Sequence, residues 1–407
     1  MIIEVKKIND KVFKEYVEAS SQFSFWQTKA MGERRRLDSW DYELLGFFQA
    51  SDLVGAGLFY KRKVLNRYNY ECMGGPIIDY SNPKPYFLAL RKYLEANACH
   101  SCLINPNLTA YTHNIEAKTS EEQNDFLRVK SELNETGFNY LANTDANDTM
   151  FNWFYKKDIS NFTSEDELLD SFERETKRLI NNSMKMHLVY EELEVGQFNR
   201  LKNLVDKTAD NKDFSSRAVS YYESLFNEFN RDYIVKMPIV KLDVLAYRKD
   251  LENEKAILID KIANDQAKNT KKSLNRMVQS QDVLRAVENK LALIAGVSGD
   301  YIDLCTGVFL CLPDTITYLI GGSDNKYFSF NGPQFMQWHM LKYALANNVS
   351  TYDFYATRGS YINRPDEDGV YYFKKGFSGQ LYENFGFYEY QANSLVDKFI
   401  RFVRKIR

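Results

Sequence analysis

The most constraining feature of this chain is a long segment, residues 242–293, that contains neither proline nor glycine and is rich in charged and amide side chains. Apolar residues recur in it at spacings of seven and four, the repeat of a coiled coil. They are Leu251, Leu258, Ile262, Leu274, Met277, Leu284 and Leu291, with polar Gln281 and Glu288 at the remaining seam positions. The pattern predicts an antiparallel helical hairpin that turns near 265–270 and extends roughly 30 Å from the body.

The predicted tip of this hairpin is basic. Its cations are Lys261, Lys268, Lys271, Lys272 and Arg276. Such a tip can contact the phosphates of an RNA. A solvated coiled coil that braces its domain or dimerises explains the same pattern, so both interpretations stay open on these residues alone.

Composition restricts the class of protein. The 407 residues are 44% hydrophobic and 15% aromatic, which excludes an intrinsically disordered chain. The net charge of −2 excludes a globally basic nucleic-acid binder, and no DNA partner is expected. No apolar run approaches the length of a membrane span, and the N-terminus lacks a signal-peptide pattern. We therefore expect a cytoplasmic protein.

Strand-like and helix-like runs alternate along both halves of the chain, which predicts the α/β class with mixed sheets. We expect a first domain over residues 1–158 and a second over 159–383, into which the hairpin is inserted. The C-terminal segment, 384–407, is expected to join the first domain.

The cysteines give no sign of a metal site or a disulfide framework. Their number, five, is odd, and they are spread over the whole chain. Cys99 and Cys102 have the spacing of half a zinc site, but Cys305 and Cys311 make a poor second pair. A reduced pair near a core strand is the simpler interpretation, and we expect no metal. A nucleophile-elbow motif is also missing, which argues against a triad hydrolase.

The most specific motifs lie near the C-terminus: YDFY at 352–355, then Gly359, then GVYYFKKGFSG at 369–379 and GFY at 386–388. Earlier segments agree with them in order and spacing: FWQT at 25–28 with Gly32 and the arginines 34–36, then Gly75-Pro76, then RETKRLIN at 174–181. Together they resemble the FemABX family of aminoacyl-tRNA-dependent transferases that form peptidoglycan bridges. The family motif has the form Y-D-F/L-G followed by G-V-Y-x-F-K-x-G-F-G-G. The hairpin makes the chain more similar to the FemA and MurM branches than to FemX.

The resemblance implies two domains of the GCN5-related acetyltransferase type, with the hairpin inserted in the second. Ordinary acetyltransferases of this fold bind the pyrophosphate of coenzyme A with an R/Q-x-x-G-x-G/A loop. The sequence contains no such loop. This favours RNA over coenzyme A as the carrier of the donor, and we expect no cofactor.

The activity implied by the resemblance is transfer of a small amino acid, Ala, Ser or Gly, from aminoacyl-tRNA to the side-chain amine of the stem-peptide lysine. The acceptor would be a lipid-linked or UDP-linked peptidoglycan precursor. The alternative is a non-enzymatic scaffold that binds peptide and dimerises or binds partners through the hairpin.

The family motif places Lys374 where positive charge stabilises the tetrahedral oxyanion of the reaction. Its neighbour Lys375 is a competing candidate, and a surface lysine at a strand end is the structural alternative. Phe373, beside it in the motif, is implied to contact substrate.

Further residues are implied to bind the precursor: Arg35, in a register left uncertain by the arginines on either side, together with Arg217, Tyr221 and Tyr318. The spacing of Arg217 and Tyr221 would put both on one helix face. Asn105 is a further candidate for substrate binding. It stands where FemX carries an acidic residue, and an amide cannot accept a proton at neutral pH.

The last residues, 394–407, alternate apolar with basic side chains. This pattern suits a basic amphipathic helix on the inner face of the plasma membrane, where a lipid-linked precursor lies. A helix that packs back on the first domain is the alternative.

Overall fold

The computed structural model describes residues 1–114, 120–141, 152–212, 216–297, 299–357 and 369–393. These residues form two mixed β-sheets with helices packed on their faces. The predicted α/β class is therefore observed.

The strands are β1 (Glu4–Lys7), β2 (Asp41–Gln49), β3 (Asp52–Val64), β4 (Arg67–Met73), β5 (Cys99–Asn105), β6 (Thr109–His113), β7 (Ser120–Glu122), β8 (Asn139–Leu141), β9 (Trp153–Asp158), β10 (Leu188–Glu192), β11 (Ile234–Lys236), β12 (Pro238–Asp243), β13 (Tyr301–Cys311), β14 (Thr315–Ser323), β15 (Thr351–Thr357), β16 (Gln380–Asn384) and β17 (Phe387–Gln391). The helices are α1 (Asp10–Glu18), α2 (Lys29–Arg36), α3 (Lys84–Ala96), α4 (Phe126–Glu135), α5 (Glu165–Asp170), α6 (Arg174–Ser183), α7 (Phe198–Lys212), α8 (Val219–Phe229), α9 (Val244–Lys268), α10 (Lys271–Ile294), α11 (Gly332–Ala346) and α12 (Gly369–Lys375). Short 3₁₀ turns lie at Phe25–Gln27 and Asn325–Phe330.

The first sheet has the strand order β1-β2-β3-β4-β5-β17-β8. Its pair β4–β5 is parallel. Parallel neighbours need a crossover connection, and α3 provides it, burying Phe87, Leu90 and Leu94 in the core of this sheet.

The second sheet has the order β10-β12-β13-β14-β15-β9-β16-β6-β7, and β11 pairs with β13 at its side. It repeats the same device, because β14 and β15 are parallel and α11 crosses between them. Helix α11 is buried almost all round, with Met336, Trp338 and Leu341 in the core. A further apolar cluster joins the two sheets, containing for example Leu58 of β3 and Val308 of β13.

The two sheets exchange strands. Strands β6, β7 and β9 belong by sequence to the expected first domain, 1–158, but pair in the second sheet. Strand β17, from the C-terminal segment 384–407, pairs in the first sheet. Because the chain crosses between the sheets in both directions, the boundary at residue 158 stays a prediction.

The hairpin is present as α9 and α10. The chain turns at Asn269, and the Thr270 side chain caps α10 in a reciprocal pair of hydrogen bonds with Ser273. Helix α9 thus continues through Asp265, which the sequence pattern had placed at the start of the turn.

The seam of the hairpin differs from the expected one in α10. Met277, Leu284 and Leu291 are half-buried as expected. For the other seam positions the prediction is wrong by one residue. Leu274, Gln281 and Glu288 are exposed. The residues before them, Ser273, Ser280 and Val287, are buried instead. Small serine side chains thus occupy the two buried positions nearer the tip.

Candidate active site

The parallel pair β14–β15 is short. Residues 315–317 pair with 351–353, and within the described residues β15 continues beyond Asp353 paired only with β9. A bulge between Asp353 and Ala356 interrupts that pairing. Tyr355, in the bulge, has a φ of +63°, a region that costs energy for a residue with a side chain. The ends of β14 and β15 therefore frame a gap beside a strained bulge.

Lys374 lies at this bulge. It is on α12 and is only 4% exposed, so it is not a surface lysine at a strand end. Its Nζ donates to the carbonyl oxygens of Tyr355, at 3.2 Å, and Ala356, at 2.6 Å. The bulge thus supplies acceptors that hold a buried cation at the end of β15, where it can stabilise a developing oxyanion.

Asp353 adds a carboxyl group to the same region. Its side chain is 8% exposed, and Oδ1 accepts a hydrogen bond of 2.7 Å from the Tyr355 amide. Burial raises the pKa of Asp353, although the charges of Lys156 and Lys374 oppose this. The YDFY motif contained this residue, but only the fold shows that its carboxyl group is buried within reach of two lysines.

The side chain of Tyr355 extends from the bulge towards the first sheet. Its ring lies 5.8 Å from that of Phe25 and 5.6 Å from that of Phe154. Burial raises the pKa of Tyr355, and the nearby Asp353 and Tyr221 raise it further. Tyr355 therefore connects the lysine site to a second cluster, around Tyr221.

That second cluster contains two arginines. The Arg34 guanidinium lies 4.3 Å from the centre of the Tyr221 ring and that of Arg217 lies 5.6 Å from it. Arg34 is 8% exposed, its Nη1 donates to Asp38, and its Nε has no partner among the described residues. Burial raises the pKa of Tyr221, and both arginines oppose this. Arg217 precedes α8 instead of sharing a helix face with Tyr221, but the loop still brings the two side chains together.

Arg35 points elsewhere. Its guanidinium pairs with Glu71 at 2.8 Å and lies between the rings of Trp40 and Tyr60. Of the arginines 34–36, the first is the one that contacts the Tyr221 cluster.

Tyr318 and Phe373 are partly buried and pack against the core of the second sheet. Tyr318 follows Thr317, the last residue of β14 that pairs with β15, and its ring stacks on Phe309 at 4.9 Å. Burial raises the pKa of Tyr318. Phe373 is half-buried and packs against Phe377, with ring centres 5.4 Å apart.

Asn105 has a structural contact. It is 8% exposed, and its Nδ2 donates to the carbonyl oxygen of Gly386 at 2.9 Å, which ties the end of β5 to the chain entering β17. In the hairpin, Arg276 pairs with Asp265 across the seam at 2.8 Å. The other tip candidates, Lys268, Lys271 and Lys272, are exposed and form no ion pair with any described residue.

The described residues contain no cluster of His, Cys, Asp and Glu side chains suited to a metal ion. None of their helices has the length and apolarity to cross a membrane. Gly359 and the basic segment 394–407 lie outside the described residues.

The sequence matches the FemAB family over residues 8–405. It is 24% identical over 416 residues to the aminoacyltransferase FemA of Staphylococcus epidermidis, covering 98% of both chains. It is 25% identical over 396 residues to FemA of Staphylococcus aureus strain bovine RF122 / ET3-1, covering 92% of both. These matches support an aminoacyl-transferring enzyme over the non-enzymatic scaffold.

Solved structures support the fold. A crystal structure of FemX superposes with a TM-score of 0.73 at 22% identity, over 98% of this chain and 99% of that one. A tandem GNAT protein from the clavulanic acid biosynthesis pathway superposes with a TM-score of 0.50 at 7% identity, over 96% and 99%. The expected pair of acetyltransferase-like units is thus confirmed.

Proposed function

Because the chain belongs to the FemAB family and is an aminoacyl-transferring enzyme, we propose that it moves a small amino acid from aminoacyl-tRNA to a peptidoglycan precursor. The amino acid is Ala, Ser or Gly, and the acceptor is the side-chain amine of the stem-peptide lysine. The product is part of the interpeptide bridge. The precursor is lipid-linked or UDP-linked.

The observation that carries this proposal is the buried Lys374 at the bulge of β15. In the reaction the acceptor amine attacks the ester carbonyl carbon, a C–N bond forms, and the carbonyl oxygen becomes an oxyanion. The Lys374 ammonium stabilises this charge in a site with little water. The ester C–O bond then breaks and the ribose hydroxyl leaves. The ester is already activated, so no covalent enzyme intermediate is needed.

The proton lost by the attacking amine needs an acceptor. Asn105 cannot serve. Asp353 can, because burial raises the pKa of its carboxyl group, which brings it closer to the working range of a general base. It would pass the proton on to the leaving ribose oxygen. Asp353→Asn should lower kcat and remove the decrease of kcat at acidic pH that protonation of this carboxylate causes.

The precursor carries phosphates, for which guanidinium groups are suited. In the cluster of Arg34, Tyr221 and Arg217, one buried and one exposed guanidinium lie near the same aromatic ring. Arg35 is already paired with Glu71. Arg217→Gln should therefore raise KM for the precursor more than Arg35→Gln does.

The donor side involves the hairpin. Lys268, Lys271 and Lys272, the tip lysines, are exposed and close in sequence to the turn, as expected of a contact to an RNA backbone. Arg276 is occupied by Asp265 and contributes less. The enzyme would work in the cytoplasm, at the inner face of the plasma membrane when the acceptor is lipid-linked.

The test is transfer of a radiolabelled amino acid from a charged-tRNA pool to lysine-containing precursor, with ribonuclease as the donor control. Lys374→Met keeps the apolar stem of the side chain and removes its charge. The matched control is Lys375→Met, on the same helix, where the lysine lies over the Tyr372 ring. We expect transfer by wild type and Lys375→Met and a loss of at least about a hundredfold in Lys374→Met. Absence of transfer to either acceptor with any charged tRNA would overturn the proposal.

A further inference from the structure

The turn that follows Lys374 is held by side chains of β9. Tyr155 and Lys157 are two residues apart on this strand, so their side chains point to the same face of the sheet. The Tyr155 hydroxyl accepts from the Gly379 amide at 2.9 Å and donates to the Lys375 carbonyl at 3.4 Å. The Lys157 Nζ donates to the Ser378 carbonyl at 3.1 Å. Two neighbouring side chains thus clamp both ends of one short turn.

A lysine is energetically unfavourable at position 157. Lys157 is 3% exposed, and its ammonium lies 5.2 Å from the centre of the Phe162 ring and 5.3 Å from that of Phe172. No carboxylate bonds to it among the described residues. A buried ammonium with one carbonyl partner is less favourable than an apolar side chain of the same length. Stability alone therefore does not explain the presence of a lysine here.

The turn that Tyr155 and Lys157 hold is hydrogen-bonded directly to the backbone of Lys374. The Phe377 amide donates to the Lys374 carbonyl at 3.1 Å, and the Ser378 amide donates to that of Lys375 at 2.8 Å. The turn held by β9 is therefore a hydrogen-bonded continuation of the helix that carries Lys374. A shift of this turn would displace the Lys374 ammonium from the carbonyl oxygens of β15.

We propose that Lys157 and Tyr155 are positioning residues, which hold the turn at 375–379 so that the Lys374 ammonium stays at the bulge of β15 during acyl transfer. This inference rests on the proposed function. It assigns a role to two side chains whose hydrogen bonds go to the backbone of this turn.

The test uses Lys157→Met, which keeps the length of the side chain, and Tyr155→Phe, which removes one hydroxyl. Both should lower kcat on the order of tenfold or more while KM for either substrate stays within about twofold, because small misplacements act on the transition state. Neither variant should be unfolded at the assay temperature, and Lys157→Met should be at least as stable as wild type at pH 7. The matched control is Tyr388→Phe, a buried tyrosine of the first sheet whose hydroxyl has no partner among the described residues. It should keep the wild-type kcat.

A second readout does not depend on activity. The NMR signal of the Lys374 side-chain Cε, assigned by its loss in Lys374→Met, should move in Lys157→Met and Tyr155→Phe but not in Tyr388→Phe. An active wild type with unchanged kcat in both variants would overturn the inference. The inference would also be overturned if the decrease in kcat of each variant were fully explained by a smaller fraction of folded protein. If wild type shows no transfer, the proposed function fails, and an unmoved Lys374 signal then overturns the positioning role as well.

Discussion

Replacement of Lys157 by methionine should stabilise the protein at pH 7. Burial lowers the pKa of this lysine from 10.5 to about 8, and Asp158 only partly opposes the effect. One pKa unit corresponds to about 1.4 kcal/mol, so keeping the folded-state ammonium charged costs about 3 kcal/mol. Methionine fills a similar volume and loses one hydrogen bond, to the Ser378 carbonyl, that contributes about 1 kcal/mol. The expected net gain is about 2 kcal/mol.

The gain should depend on pH in a defined direction. Because the folded-state pKa of Lys157 is lowered, the unfolded chain binds more protons between pH 8 and 10.5. Wild-type stability attributable to this group therefore rises through that window. Below pH 8 the lysine is charged in both states and the whole penalty is present. The advantage of Lys157→Met should shrink by about 3 kcal/mol between pH 7 and pH 10.5 and change sign.

Urea unfolding followed by tryptophan fluorescence measures this difference. Trp338 is a suitable reporter, since its ring lies 5.9 Å from Phe172, which itself packs on the Lys157 ammonium. The control is Ile159→Val in the same core, which changes no titratable group and should show a constant stability difference. A Lys157→Met protein that is less stable than wild type at pH 7, or equally offset at every pH, would refute the reasoning.

Three further predictions follow from packing and charge. An alanine Cβ at Gly322 would lie 2.6 Å from the backbone nitrogen of Val205 in α7, so Gly322→Ala should lower the free energy of unfolding by about 1–3 kcal/mol. A Cβ at Gly296 would have nothing within 4 Å, so Gly296→Ala should be neutral in the same urea titration. Tyr355→Gly should be more stable than Tyr355→Ala by about 1 kcal/mol, the reverse of the usual order, because only glycine relieves the positive φ; equal stabilities would exclude backbone strain. Exchange of the three tip lysines for glutamine should raise KM for charged tRNA, leave KM for the precursor unchanged, and reduce the logarithmic salt dependence of tRNA binding by about 2–3; an unaltered salt dependence would exclude the tip as the RNA contact.

The hairpin shows what periodicity predicts and where it fails. Its existence, direction and length follow from a long segment without proline or glycine, in which apolar residues recur at coiled-coil spacing. The register in α10 did not follow, because leucine at 274 is the more apolar choice for a seam. The capping hydrogen bonds between Thr270 and Ser273 place the serine inside and leave Leu274 37% exposed. Local polar geometry at the helix start thus outweighs one apolar side chain.

The candidate site divides in a similar way. The motif at 369–379 directed attention to Lys374 and left Lys375 as a competing candidate, because the residues around them are characteristic of a family. The partners of Lys374 are backbone carbonyls, which leave no mark in a sequence. The choice between neighbouring arginines was equally inaccessible: it depends on which face of α2 meets α8, and Glu71, from a distant strand, pairs with Arg35.

Tyr355 ties these observations into one argument about the site. The family motif that the chain resembles has glycine at this place, where a positive φ costs nothing. Here a tyrosine has a positive φ of +63°, and its ring packs against those of Phe25 and Phe154. That packing offsets the cost of the strained bulge, and the bulge turns the carbonyl oxygens of Tyr355 and Ala356 towards Lys374. Tyr355 therefore couples the contact between the sheets to the position of Lys374. A change in that contact should shift Lys374, and a shift of Lys374 should alter the contact.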